Sequence, residues 1–402
     1  MKQISFLHTA DLHLDLPFSS LRSDEKAQLR RSEIESSLDR MARKIQEEKI
    51  NLLIISGDLF EDKYIKGTTV TKLKNVFSEL YETEIVIAPG NHDPITEKSC
   101  YKNTFWGSNV HILEDSRKVL YLEKYNTCIY SLGVKKDLRL DYEEILDMNI
   151  RRDRFNLLVF HGTVDMPFGE DDYNSITSKE LLALNMDYVA LGHMHCYCRY
   201  GNEKTTMINP GSPEPLGFDE EGEHGCVKGA ISISEDSSKH TEIQFIPLAL
   251  RHYHNIQINI SDCTSDAEAV ERIEEYLRQG RVSHLRTGEE LPLLKSDASG
   301  ARQGSSRDLY SIALSGFTSR SYSPDLAYIH EKLEKKLFFV KLKNLTSARL
   351  DYEQFLEDPG IKGAFIRRIL DRLDIESSAE KRDTLFLAMQ YGLQALENER
   401  VD

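Results

Sequence analysis

Short apolar runs recur along the first half of the chain, and each is followed at once by polar residues. The five runs lie at residues 4–7, 52–55, 85–88, 157–160 and 188–191. Runs of this length predict buried β-strands. After the first run, residues 24–49 carry apolar side chains at helical spacing behind Ser23, a residue type that caps helices, which predicts a helix crossing between the first two strands.

Weaker patterns extend this alternation to about residue 245, with helices expected at 70–81 and 178–184 and a closing hairpin at 229–234 and 241–247. The character then changes to a shorter series of strands and helices, at 254–260, 265–279, 309–314, 324–337 and 338–342. Residues 296–307 are rich in Ser, Gly and charge, which indicates a mobile loop. After about residue 351, two apolar stripes predict a terminal pair of helices.

These patterns predict an α/β protein with three parts, at 1–248, 249–348 and 349–402. A length of 402 residues fits two or three domains, and 40% hydrophobic residues suffice for ordinary cores. The stripes on the last two helices must be buried, either against the chain's own domains or against another protein.

Each of the five strands is followed by residue types that bind metals. The motifs are Asp11-Leu12-His13, Gly57-Asp58, Gly90-Asn91-His92-Asp93, His161-Gly162 and Gly192-His193-Met194-His195. In stacked α/β sheets, such motifs meet at the carboxyl edge of the strands. Residues two apart on an extended strand point to the same side, which we take as the reason for the Asp-x-His and His-x-His spacings.

A phosphoesterase with two metals explains this combination of residues. Two divalent cations about 3.5–4 Å apart can activate a water and clamp the oxygens of a phosphate ester. Such a pair needs one carboxylate that touches both cations, and Asp58, after the most apolar strand, is the natural bridge. Imidazole and carboxylate ligands suit Mn, Fe or Zn better than Ca, and Asn91 adds a neutral oxygen donor.

Taken singly, the motifs are weak. Gly-Asn-His-Asp is also typical of a turn, and Gly-His-x-His is also typical of a strand end with exposed imidazoles. Their joint occurrence in order, after five strand-like runs, favours the metal site.

The motifs, in this order across residues 11–195, resemble the calcineurin-like metallophosphoesterases. Within that family, the wording DLHLDLPF and the segment NPGSPEPLGFDEEGEHG at 209–225 are similar to the DNA double-strand-break repair nucleases of the SbcD type, and most of all to YhaO-like DNA repair exonucleases. The resemblance implies a four-layer αββα catalytic domain, a small α/β capping domain that restricts which DNA ends enter, and a C-terminal helical segment that docks a coiled-coil ABC-type ATPase. It also implies a homodimer.

The resemblance further implies the role of each site residue. One metal would be bound by Asp11, His13, Asp58 and His195. The second would be bound by Asp58, Asn91, His161 and His193. His92 would contact the scissile phosphate and assist the leaving oxygen, and Asp93 would orient His92. Mn is the expected cofactor, with Fe or Zn as alternatives.

We therefore expect a Mn-dependent DNA exonuclease of DNA repair that attacks phosphodiesters with a hydroxide bridging two metals. One alternative is a phosphatase or phosphodiesterase acting on a small molecule or a phosphoprotein. Another is a non-enzymatic scaffold that recruits an ATPase, although the complete ligand set speaks against it.

Charge argues against strong DNA binding by this chain alone. With 51 Lys and Arg against 66 Asp and Glu, the net charge is −15, whereas DNA affinity normally comes from a basic surface. Bound cations and a partner would offset this. Local basic clusters are Arg30-Arg31, Arg151-Arg152 with Arg154, and Arg367-Arg368, which are more typical of solvated helix faces than of DNA patches.

Two features that the sequence lacks bear on the cellular location of the protein. No apolar run approaches the about 20 residues that span a bilayer, and the chain starts with a strand pattern rather than a leader, so we expect no membrane contact and a cytoplasmic location. The six cysteines form no regular framework, which fits a reducing compartment. Cys196 and Cys198 follow His195 and leave open a soft-metal site, although buried thiols are the commoner explanation.

Overall fold

All five apolar runs form central strands. The computed structural model describes residues 3–114, 119–132, 150–165, 174–235, 238–279, 281–283, 290–292, 306–349 and 351–396. The chain divides into two compact units, Met1–Tyr253 and His254–Asp402. The second unit therefore contains most of the expected capping domain, 249–348, together with the expected helical segment, 349–402. Most of the expected loop at 296–307 lies outside the described residues.

The first unit contains two six-stranded sheets. The strands along the chain are β1 (Gln3–Thr9), β2 (Leu52–Ser56), β3 (Glu84–Ala88), β4 (Val110–Ile112), β5 (Leu120–Leu122), β6 (Thr127–Ser131), β7 (Phe155–His161), β8 (Tyr188–Gly192), β9 (Cys198–Gly201), β10 (Thr206–Asn209), β11 (Gly225–Ile233) and β12 (Lys239–Pro247). One sheet has the order β12-β11-β1-β2-β3-β4 and the other β5-β6-β7-β8-β10-β9.

The strands that carry the motifs run parallel within each sheet. In the first sheet β1, β2, β3 and β4 are parallel, and β11 runs antiparallel to β1. In the second sheet β6, β7, β8 and β10 are parallel, with antiparallel β5 and β9 at the edges. Parallel neighbours end at the same edge, which brings their following loops together.

Helices connect the parallel strands. They are α1 (Asp24–Glu48), α2 (Gly67–Glu79), α3 (Cys100–Asn103) and α4 (Ser178–Ala183). The Ser23 side chain accepts a hydrogen bond from Lys26 N, as its capping role predicts. At α4, Thr177 and Glu180 form a reciprocal capping box. Short 3-10 turns lie at Ser19–Leu21 and Glu123–Tyr125.

The two sheets pack face to face. Phe6 and Ile54 of the first sheet belong to the same buried cluster as Leu157 and Ala190 of the second. The opposite face of the second sheet packs against Leu181 of α4 in a separate cluster. Because the inner face of the first sheet is occupied, its crossover helices α1 and α2 cover the outer face. The expected four-layer αββα fold is confirmed.

A three-stranded sheet forms the core of the second unit. Its elements are β13 (Tyr253–Asn259), α5 (Asp266–Gln279), β14 (Arg281–Ser283), β15 (Glu290–Pro292), β16 (Leu309–Thr318), α6 (Leu326–Glu334) and β17 (Phe339–Ala348). The order is β13-β16-β17, with β16 and β17 parallel, and β14 pairs with β15. Ile258, Ile273, Ile312 and Ile329 bring strands and both helices into one core, as the α/β pattern predicted.

The last elements are a 3-10 turn (Glu353–Phe355) and two helices, α7 (Ile361–Ile375) and α8 (Ala379–Leu396). Ile366 of α7 packs with Met389 and Leu393 of α8 in one cluster. The apolar stripes of the two terminal helices thus cover each other in part. Ile361 and Ile375 remain 76% and 83% exposed. Docking of an ATPase remains a prediction. No helix in the described part of the chain combines the length and apolar character needed to cross a membrane.

Buried ion pairs tie the segment 209–225 to α1. Arg30 is fully buried, and its guanidinium contacts Glu33 at 2.5 Å, Glu214 at 3.4 Å and the carbonyl of Pro215 at 2.8 Å. Arg40 also donates to Glu214, at 2.7 Å. Glu214 therefore fixes this loop. Six residues further along, the same loop supplies the carboxylate of Glu220 to the cluster of predicted metal-binding residues.

We predict that Glu214→Gln lowers the free energy of unfolding of the first unit by about 3 kcal/mol, because it leaves Arg30 short of a counter-charge in the interior. The fluorescence of buried Trp106, the single tryptophan, reports urea unfolding of this unit. Glu35→Gln is the matched control, since Glu35 lies 3.7 Å from Lys72 at a solvated surface and should cost less than about 1 kcal/mol. Equal losses in the two variants would contradict the account.

Candidate metal centre

The five motifs meet at the carboxyl edge of the strands. Two clusters form there, in each of which the potential ligand atoms lie within 4.8 Å of one another. The first contains Asp11, His13 and His195, and the second contains Asp58, His161 and His193. A third grouping combines His13, Asp58 and His92. The predicted convergence is confirmed.

The backbone of these ligands is not extended, contrary to our explanation of their spacing. Asp11, His13, Asp58 and His193 have φ values of 53°, 48°, 51° and 93°, and they lie beyond the last residues of their strands. Left-handed backbone at a residue other than glycine costs free energy and is concentrated at functional sites. Hydrogen bonds hold it here, since Asp11 N donates to Gly57 O and His13 N to Asp58 O. Tight turns, rather than strand alternation, aim these side chains.

In the first cluster two imidazoles face each other. The Nε2 atoms of His13 and His195 are 3.2 Å apart. Each Nδ1 atom contacts a carboxylate, at 2.7 Å for His13 with Glu61 and at 2.6 Å for His195 with Glu220. An ionised carboxylate only accepts hydrogen bonds, so each Nδ1 carries a proton and each Nε2 presents a lone pair.

Two lone pairs at this distance need a positive charge between them, either a proton or a metal cation. Burial lowers the pKa of His195, but Glu220 and Asp11 outweigh burial and raise it to about 9. The neighbouring carboxylates therefore favour positive charge at this position. A cation at this position would be bound by the donor types, imidazole and carboxylate, that suit Mn, Fe or Zn.

The second cluster combines imidazole, amide and carboxylate donors. Asn91 Oδ1 lies 3.1 Å from His161 Nε2 and 3.2 Å from His193 Nδ1. His161 Nδ1 donates to the carbonyl of Ser56 at 2.7 Å, which leaves its Nε2 atom to face the site. Burial lowers the pKa of His193 to about 4, so this imidazole is neutral and able to ligate.

Asp58 connects the two clusters. Its Oδ2 atom is 3.3 Å from His161 Nε2 and 3.6 Å from His13 Nε2, while Oδ1 accepts a hydrogen bond from His92 N at 2.8 Å. Burial would raise the pKa of Asp58, but His161, followed by His13 and His92, holds it well below its usual range. An ionised carboxylate between two sets of imidazoles is the arrangement that a bridging ligand requires.

Asp93 does not orient His92, so this expectation was wrong. The carboxylate that contacts His92 Nδ1 is Glu61, at 3.0 and 3.1 Å for its two oxygens. Asp93 is fully buried and accepts hydrogen bonds from three backbone amides, those of Asp58, Leu59 and Gly90, and from the hydroxyl of Tyr101. The turn that presents His92 points Asp93 under the loop, where it fixes the backbone of Asp58.

Sequence reasoning missed Glu61 and Glu220 as orienting groups. Glu61 contacts both His13 and His92, and these contacts outweigh burial and lower its pKa to about 2. It stands three residues after Asp58 in GDLFED, so a signal was present. Glu220 lies in the segment 209–225 that the resemblance singled out, where it also accepts from Ser212 and Leu216 N. Nothing in its neighbouring residues indicated that it would reach His195.

Glycines allow the close approach of these loops. A Cβ atom on Gly90 would lie 2.2 Å from Asp58 Oδ1, and one on Gly192 would lie 1.9 Å from the carbonyl oxygen of Ser56. Any larger residue at these positions would displace Asp58 or the strand beside it. The two motifs after β3 and β8 therefore need glycine for space rather than for a positive φ.

The basic clusters and cysteines do not add to the site. Arg30 is buried in the ion-pair network, Arg152 donates to the carbonyls of Leu184 and Asn185, and Arg367 donates to those of Leu356 and Asp358. All six cysteines are free thiols. Among the described residues, the groups able to hold a metal consist of Asp and His alone, so the soft-metal alternative at Cys196 and Cys198 gains no support.

Comparison with known proteins agrees with this geometry. The family model described as "Calcineurin-like phosphoesterase" matches residues 4–197, which include all five motifs. Residues 4–197 are therefore similar to that family. This similarity supports a hydrolase that acts on phosphoesters and binds divalent metals, in agreement with the Asp and His clusters of this segment.

Two curated relatives extend the similarity beyond this segment. The uncharacterized metallophosphoesterase YhaO of Bacillus subtilis (strain 168) is 27% identical over 234 residues, 56% of this chain and 57% of the relative. The DNA double-strand break repair protein Mre11 of Methanopyrus kandleri is 27% identical over 268 residues, 60% of this chain and 56% of the relative. The chain thus spans a little over half the length of each.

Solved structures that match part of the chain include TT1561 of Thermus thermophilus, which is 13% identical with a TM-score of 0.35 and matches 60% of this chain and 98% of that one. A dimetal phosphatase from Danio rerio is 11% identical with a TM-score of 0.36 and matches 61% of this chain and 99% of that one.

We predict that Glu220→Gln weakens by about tenfold or more one of the two Mn sites that the clusters would form, because His195 loses the charge that makes its Nε2 basic. Free Mn measured by electron paramagnetic resonance during titration gives both affinities. The control is Asp219→Asn, which removes an exposed carboxylate from the neighbouring residue. Wild-type affinity at both sites in Glu220→Gln would show that this contact does not support metal binding.

Proposed function

We propose that the protein is a Mn-dependent DNA nuclease that hydrolyses phosphodiester bonds. The observation that carries the proposal is the pair of ligand clusters joined by the Asp58 carboxylate. Two observations support DNA as the substrate. In the segment 209–225, which resembles DNA repair nucleases, Glu220 contacts His195 and Glu214 anchors the segment to Arg30. The chain is also similar to Mre11.

The residues present fit two cations. Asp11, His13, Asp58 and His195 would hold one, and Asp58, Asn91, His161 and His193 the other. When bound, two cations supply an activated water and stabilise charge on the phosphate oxygens. The protein's own residues fix the donor atoms beforehand: Glu61, Glu220 and the carbonyl of Ser56 orient the three imidazoles at their Nδ1 atoms.

His92 is the residue we assign to the leaving group. Its side chain is 42% exposed and lies at the rim of the site, where a phosphate ester can reach it. The hydrogen bond that His92 Nδ1 donates to Glu61 is the largest contribution that raises the pKa of His92, although burial opposes it. A protonated imidazole held at Nδ1 by a carboxylate can donate from Nε2 to the departing oxygen.

A small-molecule phosphodiester is the second candidate substrate. The net charge of −15 and the burial of Arg30 in internal contacts favour it, because DNA affinity normally comes from a basic surface. The same ligands would serve either substrate.

We predict that the purified chain degrades end-labelled linear DNA in the presence of Mn, and that Asp58→Asn lowers the rate on the order of a thousandfold, since metal-ion stabilisation is worth several kcal/mol. Bis-p-nitrophenyl phosphate is assayed in parallel. Hydrolysis of this ester alone would support the small-molecule candidate and overturn the nuclease. Wild-type rates in Asp58→Asn would overturn the two-metal chemistry for both.

We predict that His92→Ala lowers kcat by roughly 10²- to 10⁴-fold, the range for a lost general acid, while the protein still binds two Mn ions. Metal content after gel filtration, measured by inductively coupled plasma mass spectrometry, separates the two effects. A fall in metal content together with kcat would mean that His92 is a ligand, and the assignment would then be wrong.

A further inference from the structure

A cavity of about 360 Å³ is lined by residues that follow His195 and Glu220 in the chain. Its lining consists of Cys196, Tyr197, Glu221, Glu223 and Phe245. Cys196 directly follows His195, and Glu221 directly follows Glu220. Two residues of the cavity wall are therefore chain neighbours of the pair whose 2.6 Å contact orients a metal-binding imidazole.

Two aromatic rings form one side of this cavity. The ring centroids of Tyr197 and Phe245 are 5.1 Å apart with an interplanar angle of 64°, an edge-to-face arrangement that holds each ring in place. Phe245 belongs to β12, pairs with Val227 of β11 and packs against the core between the sheets, so it is a fixed support. Tyr197 is 38% exposed and presents part of its ring to solvent.

The charge of the cavity selects among ligands. Glu221 and Glu223 place negative charge on its wall, which would repel a second phosphate group. The ligand that fits beside the exposed ring of Tyr197 is therefore an uncharged ring. A volume of about 360 Å³ lies within the range of small-molecule sites.

We propose that this cavity receives the nucleobase next to the scissile phosphate, stacked on Tyr197. The proposal rests on the proposed nuclease function and adds to it a reason why a nucleic acid, rather than any phosphodiester, is positioned at the metals. Stacking on an aromatic ring is tolerant of base identity, because every base has a π-face. The site therefore requires a base without selecting a sequence.

The test compares single-stranded oligonucleotides that differ only in whether the nucleotides flanking the cleaved bond carry a base or an abasic sugar. The wild-type chain with Mn should cleave the base-bearing strand about tenfold faster, within the range expected for one base stacked on one ring. Tyr197→Ala should cleave both strands at equal rates, and Tyr197→Phe should restore the preference. Tyr81→Ala is the matched control, since Tyr81 is 75% exposed and precedes β3 at the opposite edge of the sheet.

The outcomes separate this proposal from the nuclease function. Cleavage of both strands at equal rates by the wild-type chain would overturn the base site and leave the nuclease intact. A preference that survives in Tyr197→Ala would also overturn it. Failure of the wild-type chain to cleave either strand, while it hydrolyses bis-p-nitrophenyl phosphate, would overturn the nuclease and the base site together. The wild-type comparison needs no variant, so the test holds even if Tyr197→Ala does not fold.

Discussion

The carboxylate of Asp58 is buried between imidazoles from three different loops, and the rest of the site is arranged around it. Its own backbone is held by Asp93 from below, and Gly90 passes so close to its Oδ1 atom that no larger residue fits. Oδ2 faces His13 on one side and His161 on the other. Asp58 faces one imidazole from each sheet. The two stacked sheets must therefore bring the ends of these strands to the same edge.

Orientation of the imidazoles explains the surrounding carboxylates. Glu61 and Glu220 each use a side-chain oxygen to fix an Nδ1 atom, and the segment that carries Glu220 is anchored to α1 by Glu214 and Arg30. So many acids in one buried region would repel one another without positive charge. The imidazoles between them can carry part of that charge, and metal cations would supply more of it.

The sequence was sufficient for the fold and for the convergence of the five motifs, because both depend on local patterns. Apolar runs predict strands, and the position after a strand end is where α/β proteins collect ligands. Orientation was not predictable. The choice between Asp93 and Glu61 as the partner of His92 depends on the direction in which a turn points its side chains, and Glu220 reaches His195 across 25 positions. Arg30 was expected on a solvated helix face. It is buried because Glu214 reaches it from a distant segment.

The most direct test is an anomalous difference map from a crystal grown with Mn, recorded near the Mn absorption edge. The account predicts two peaks about 3.5–4 Å apart, one on each side of the Asp58 carboxylate, with His13 and His195 at one and His161 and His193 at the other. A single peak, or peaks that share no contact with Asp58, would contradict the two-metal centre.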